Sequence, residues 1–143
     1  MLNQTAEKTD AIVPSRHLGR SVWALVAGFL AVVILSIATD AVLHVLGLYP
    51  ALGQRMSDKL FVLSTSYRTV YAILGSYITA RLAPNRPMAH AIVGGLIGML
   101  IGSVGAAVTW KHTELGPHWY PLALIVEALP CAWIGGKIRE MQI

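Results

Sequence analysis

Charged residues are scarce in this chain. Only 13% of its 143 residues are Asp, Glu, Lys or Arg, whereas 55% are hydrophobic. A soluble domain is typically about a quarter charged, and a globule of this size has too little interior to hide so much apolar surface. The composition therefore argues against a soluble globular protein, and it predicts that a lipid bilayer surrounds most of the chain.

The chain also lacks the residues that several function classes require. Its single cysteine, Cys131, excludes an intramolecular disulfide and any CxxC motif. There is no glycine-rich nucleotide fingerprint, no GxSxG and no HExxH, so no catalytic constellation, metal site or cofactor is predicted. The net charge is +4, but the basic residues stand at the ends of apolar runs. They form no basic stripe with interleaved aromatics, which excludes a nucleic-acid partner.

Four long apolar runs fill most of the sequence. Each reaches the roughly 20 residues with which a helix crosses the hydrocarbon core, and backbone groups in lipid must pair within their own helix. The short links between the runs favour antiparallel neighbours. We therefore predict an all-α fold, an integral membrane up-down bundle of four transmembrane helices forming one domain. Its predicted parts are a cytoplasmic tail (1–20), the four-helix domain (21–139, with helices at 21–48, 60–82, 88–108 and 120–138) and a short cytoplasmic tail (140–143).

The distribution of Lys and Arg predicts the orientation of this bundle. With the N-terminus inside, seven of these residues lie on the inner side and three on the outer side, and positive charge favours the cytoplasmic side. Ser36, Ile37 and Ala38 resemble a signal-peptide cleavage site, but the apolar run continues past them, so the first helix is expected to stay uncleaved. The predicted location is the plasma (inner) membrane, with both termini cytoplasmic.

Three ionisable residues interrupt the apolar runs: Asp40, Arg68 and Glu127. Counted from the outer ends of their helices, all three lie roughly 10–12 Å below the outer boundary and should form one layer. A charge at such depth costs about 2.5–3.5 kcal/mol on insertion scales. Because a guanidinium offers a planar fork that holds two carboxylates, we predict that Arg68 bonds Asp40, Glu127 or both.

This layer contains two acids and one base. If all three groups are ionised, one negative charge is unbalanced, so either a carboxyl holds a proton or a bound cation or substrate supplies the missing charge. A purely structural role, in which the charges fix helix rotation, is the alternative. The candidate ligand- or ion-binding residues are Asp40, Arg68, Glu127, His44, Tyr71 and Ser103.

The third apolar run carries a glycine repeat, Gly94, Gly98 and Gly102, at four-residue spacing. Such a repeat makes a flat groove that lets another helix approach closely. The groove is predicted to pack within the bundle, with a homodimer face as the alternative. Gly102 and Ser103 fall at the level of the charged layer, where small side chains would also leave space for a ligand.

Three functions remain compatible with the sequence. The first is binding or translocation of an ion, a proton or a small polar solute by an oligomer, since four short helices barely enclose a path alone. The second is a non-catalytic accessory or assembly subunit of a larger membrane complex, with the glycine groove as its contact. The third, which no motif supports, is a membrane enzyme acting on a lipid-like substrate, with Asp40 and His44 as acid and base.

Overall fold

The computed structural model describes residues 15–143 of the chain. Within that range it is helical, and the helices follow the four apolar runs. Residues 1–14 of the predicted N-terminal tail lie outside the described part. A short 3₁₀ turn, Thr113–Leu115, stands between the last two helices. The helices are α1 (Ser15–Val45), α2 (Asp58–Leu82), α3 (Pro87–Thr109) and α4 (Trp119–Glu140).

The bounds of α1 differ from the predicted 21–48 at both ends. The helix begins at Ser15 because helical hydrogen bonding continues through polar residues, whereas the prediction followed apolar residues only. It ends at Val45 because Gly47 has a φ of +70°, which is costly for any residue with a side chain. The backbone N–H groups of Gly47 and Leu48 donate to the carbonyls of His44 and Leu43. This pattern is a Schellman motif, which closes a helix C-terminus.

Three of the described helices, α1, α3 and α4, are long and apolar enough to cross a membrane. The helix α2 does not meet that criterion because Arg68 and many hydroxyl side chains lower its hydropathy. It nevertheless packs against each of the other three helices. Several of its polar side chains, among them Ser64, Arg68 and Thr69, bond side chains of neighbouring helices, and the candidate site is found there.

The packing between helices uses small residues. An added Cβ on Gly28 would lie 2.5 Å from the carbonyl oxygen of Gly75, so the α1 and α2 backbones nearly touch there. At Gly95, an added Cβ would lie 2.6 Å from the Cβ of Ala132, at the crossing of α3 and α4. The core is made largely of alanines, including Ala24 and Ala132, while most large aliphatic side chains of α1 and α3 are exposed. This is the reverse of a soluble protein, in which large apolar side chains fill the interior.

Candidate functional site

An ion pair joins α1 to α2 in the half of the bundle that the sequence places outside. The Nη2 of Arg68 donates to the Oδ2 of Asp40 over 2.6 Å, and its Nε donates to the Oγ of Ser64 over 3.1 Å. Both charged side chains are about 30% exposed. Of its two predicted partners, Asp40 and Glu127, Arg68 thus pairs with Asp40 on α1. That pair is electrically neutral.

A set of hydroxyl groups surrounds this pair. The phenol of Tyr67 donates to the Oδ1 of Asp40. Its oxygen lies 3.1 Å from the hydroxyl of Tyr49 and accepts a hydrogen bond from Ser64 over 3.3 Å. Ser64 also bonds the hydroxyl of Tyr120 over 3.0 Å. The network ties the loop after α1, the centre of α2 and the start of α4 to one carboxylate, and charge-assisted bonds of this kind are the stronger ones.

Tyr71, one helical turn from Arg68, is the tyrosine predicted at the site. In the structure the hydroxyl of Tyr71 bonds Thr39 over 2.7 Å, and Tyr67 is the residue that contacts Asp40. Both rings face α1, with their centroids 5.8 Å apart. Helical spacing alone gave the face of α2, but the position of α1 against that face determines which ring reaches the carboxylate.

Glu127 lies apart from the ion pair. Its Oε2 accepts one hydrogen bond, from the Oγ1 of Thr69 over 2.7 Å. Among residues 17–143, whose side chains the structure describes, no nitrogen of Lys, Arg or His lies within 4.0 Å of its carboxylate. The side chain is half-buried. The second acid of the layer is therefore held by a neutral donor, and Arg68 forms no ion pair with it.

A cleft of about 650 Å³ opens between α1 and α3, with α2 and α4 as its floor. At the end near the N-terminus of α1 the two walls meet, since the Nε2 of His90 lies 2.9 Å from the Oγ of Ser21 and Leu25 packs beside Gly94. Further along, the contact between α1 and α3 is limited. The lining is mostly aliphatic, and its polar members are Ser36, Arg68, Ser76, Thr79 and Glu127.

The predicted glycine groove lines this cleft. An added Cβ on Gly98 would meet no atom within 4 Å, whereas one on Gly102 would lie 3.2 Å from Ile125 and one on Gly94 would lie 3.5 Å from Leu25. Among the glycines of α3, the closest approach to another helix is instead at Gly95. The open space beside Gly98 leaves room for a ligand or for a helix of a second copy.

Two predicted site residues, Ser103 and His44, make no hydrogen bond to the side chains of Asp40, Arg68 or Glu127. Ser103 is exposed and its Oγ donates to the carbonyl of Met99, because it points away from the cleft that the adjacent Gly102 lines. The Nδ1 of His44 lies 2.8 Å from the backbone carbonyl of Asp40. Its ring packs edge-on against Tyr49. The imidazole therefore does not bond the carboxylate of Asp40 through that nitrogen, which weakens the acid–base pair of the enzyme hypothesis.

The two histidines of the link between α3 and α4 have separate partners. His112 bonds Glu114 over 2.8 Å, while His118 stacks on Trp110 with the ring centroids 4.3 Å apart. The pKa of Glu114 lies below its ordinary value, because its own backbone N–H and then His112 bond its carboxylate. Within the described chain, no three His, Cys, Asp or Glu side chains are grouped to hold a metal ion.

Sequence reasoning missed several polar residues of the site. Thr69, which holds Glu127, and Thr39, which holds Tyr71, have no motif that would distinguish them from ordinary helix residues. Tyr49 follows the first predicted helix and Tyr120 begins the fourth, and no motif marks either of them as a site residue. The one usable signal was the concentration of hydroxyl side chains on α2, which marks a helix whose sides are covered by other helices.

The arrangement has two chemically distinct parts. A neutral, hydrogen-bonded ion pair fixes α1 against α2, and a separate carboxylate on α4 lines an apolar cleft. The second part is able to hold a proton or a positively charged group. Comparison of the chain with protein-family models, with curated proteins and with solved structures gave no match.

Proposed function

We propose that this chain is a four-span membrane protein in which α2 is the fourth span. The outward residues of α2 support this, since Val62, Leu63, Val70 and Leu74 are exposed and form an apolar stripe. The exposed hydroxyl of Ser66 on that stripe donates to the carbonyl of Val62, so it needs no partner from outside. A helix with an apolar outer stripe and polar groups turned toward its neighbours suits a bundle in lipid.

With the N-terminus in the cytoplasm, the link between α1 and α2 lies outside and the link between α2 and α3 lies inside. The experiment replaces the single cysteine, Cys131, with alanine and introduces Gln54→Cys or Asn85→Cys. A membrane-impermeant maleimide added to intact cells should label the first position and not the second. Equal labelling of both would contradict four spans with this orientation.

The function that the geometry supports best is binding or translocation of a proton, an ion or a small polar solute at Glu127. One observation supports this proposal: the carboxylate of Glu127 lines the cleft and accepts a hydrogen bond from a single hydroxyl group. Among the side chains that the structure describes, it has no basic partner. An ionised acid in a low dielectric is costly without a counter-charge. Glu127 therefore exists either protonated or beside a cation, and exchange between these two forms is the elementary step of a carrier.

A structural role explains the ion pair better than it explains Glu127. The pair between Asp40 and Arg68 fixes the rotation of α1 against α2, and both carboxylate oxygens of Asp40 accept hydrogen bonds within the protein. Within the described residues, the side chain of Glu127 makes one hydrogen bond to another helix, the bond from Thr69. A glutamine would make the same bond without the charge, so a purely structural residue at this position would not need to be ionisable.

The test is ion flux through the purified protein in liposomes. Proton and potassium movement is followed with an internal pH dye and with a potassium electrode, for the parent, for Glu127→Gln and for Glu114→Gln. The last variant makes the same chemical change in the outer loop and serves as the matched control. We expect a flux that Glu127→Gln abolishes and Glu114→Gln leaves intact; a flux that persists in Glu127→Gln contradicts the proposal.

The oligomeric state is part of the same proposal, because a second copy would cover the open side of the cleft between α1 and α3. Crosslinking in membranes at Ile97→Cys on the rim of that cleft, again without Cys131, should trap a dimer. If only crosslinks to other membrane proteins form, the accessory-subunit hypothesis gains support and the homo-oligomer is rejected.

A further inference from the structure

The charged side chains that line the cleft indicate which class of ligand it binds. Arg68 lines the cleft, but Asp40 already neutralises it at 2.6 Å. Glu127 lines the same cleft with only the hydroxyl of Thr69 on its carboxylate. The cleft therefore requires one positive charge to be neutral, and an anionic occupant would face an unopposed carboxylate.

The surroundings of Glu127 disfavour a bare metal ion. Calcium takes about six to eight oxygen ligands and magnesium about six. Here the only polar group hydrogen-bonded to the carboxylate is one threonine hydroxyl, and no cluster of three metal-ligating side chains occurs in residues 15–143. A cation that brings its own apolar covering needs no such cage, because the walls of the cleft bury its body.

The walls of the cleft are mostly apolar, which suits a cation with an apolar body. They are formed by aliphatic and aromatic side chains such as Val26, Phe29 and Ile101, and by the glycines of α3. The volume of about 650 Å³ falls within the roughly 300–1,000 Å³ typical of sites for drug-sized molecules. Since α1 and α3 meet mainly at one end, the cleft is open along its side, which leaves room for an apolar molecule between these two helices.

We propose that the cleft binds a lipophilic organic monocation, with its apolar body between α1 and α3 and its positive charge at the carboxylate of Glu127. This inference rests on the proposed function, because it names the class of ligand at the same carboxylate. Burial of the apolar body supplies the affinity, and the single carboxylate supplies the selection for positive charge.

The experiment uses a pair of probes with the same shape and opposite charge, tetraphenylphosphonium and tetraphenylborate. Binding of each is measured by equilibrium dialysis on the purified full-length protein in detergent micelles, with empty micelles as the blank. We expect the phosphonium to bind at least tenfold more tightly than the borate. Glu127→Gln should weaken phosphonium binding at least tenfold, and Glu114→Gln should leave it unchanged.

A second variant tests the position of the site without altering any charge. An added Cβ on Gly98 meets no atom within 4 Å, so Gly98→Leu should fold normally while its side chain fills part of the cleft. It should weaken phosphonium binding at least tenfold, with an unchanged elution volume and melting temperature. Phosphonium binding that survives both Glu127→Gln and Gly98→Leu would overturn the inference, as would borate binding as tight as that of the phosphonium.

The two proposals fail in different ways. A proton or potassium flux that depends on Glu127, without measurable phosphonium binding, would overturn the lipophilic cation and leave the carrier function standing. Absence of both the flux and the binding would overturn both. Tight borate binding that is lost in Arg68→Met would mean that the cleft selects anions, which also overturns the inference.

Discussion

The ion pair between Asp40 and Arg68 gives the sharpest test of how this bundle is held together. Three variants are needed: Asp40→Asn, Arg68→Met and the two changes combined. The substitutions remove charge while roughly keeping side-chain volume. Each single change leaves the opposite charge without its partner, whereas the combined change removes both charges at once.

The expected free energies follow from the geometry of the pair. The nitrogen and oxygen lie 2.6 Å apart, and each side chain is about 30% exposed. Stranding one charge of a buried pair costs about 3–5 kcal/mol, whereas replacing the whole pair is often nearly neutral. Because this pair is partly exposed, we expect each single variant to lose about 2 kcal/mol in the free energy of unfolding and the double variant about 1 kcal/mol. The coupling energy of the cycle would then be roughly 3 kcal/mol.

The assay is unfolding of the purified protein in mixed micelles by increasing SDS, followed by tryptophan fluorescence. Glu127→Gln is added as a comparison, and we expect it to change the free energy of unfolding by less than about 1 kcal/mol, because the hydroxyl bond to Thr69 is retained. Additive losses, in which the double variant is as unstable as the two single variants together, would refute the assignment of a coupled pair. Unfolding of Glu127→Gln would show that its charge is structural, and would favour the accessory-subunit hypothesis.

Two further predictions concern packing and the hydroxyl network. Gly95→Leu should lower the free energy of unfolding by about 1–3 kcal/mol, because an added Cβ lies 2.6 Å from Ala132; Gly98→Leu, which meets open space, is its control, and equal losses in the SDS assay would contradict the packing described. Tyr67→Phe should cost about 1.5–3 kcal/mol because its hydroxyl donates to a carboxylate, and Tyr71→Phe only about 0.5–1.5 kcal/mol because its partner is neutral. The reverse order in the same assay would refute the assignment of Tyr67 as the main donor.

The helical plan of this protein was readable from the sequence because it depends on local properties. Runs of apolar residues mark the helices, and Pro84 and Pro87 separate α2 from α3. The depth of an ionisable residue along a straight helix follows from the rise per residue. For that reason Asp40 and Arg68 were expected at one level, and the structure joins them.

The partners within that level depend on how the helices are rotated and crossed, which no local pattern contains. Helical spacing favoured Tyr71 as the tyrosine of the site. The position of α1 against α2 instead brings the hydroxyl of Tyr67 to the carboxylate of Asp40. The sequence predicted Glu127 as a possible partner of Arg68. In the structure, the packing of α4 places the carboxylate of Glu127 within hydrogen-bond distance of Thr69 instead.

The same distinction applies to the glycines. Four-residue spacing selected Gly94, Gly98 and Gly102 as a contact face, and the crossing of α3 with α4 uses Gly95. The sequence by itself determined the helices, their apolar character and the level of the charged residues, because each depends on neighbours along the chain. Only the tertiary structure decided which acid is neutralised and which one lines an open cleft, since hydrogen bonds and close packing depend on distances of a few ångströms between helices that are remote in sequence.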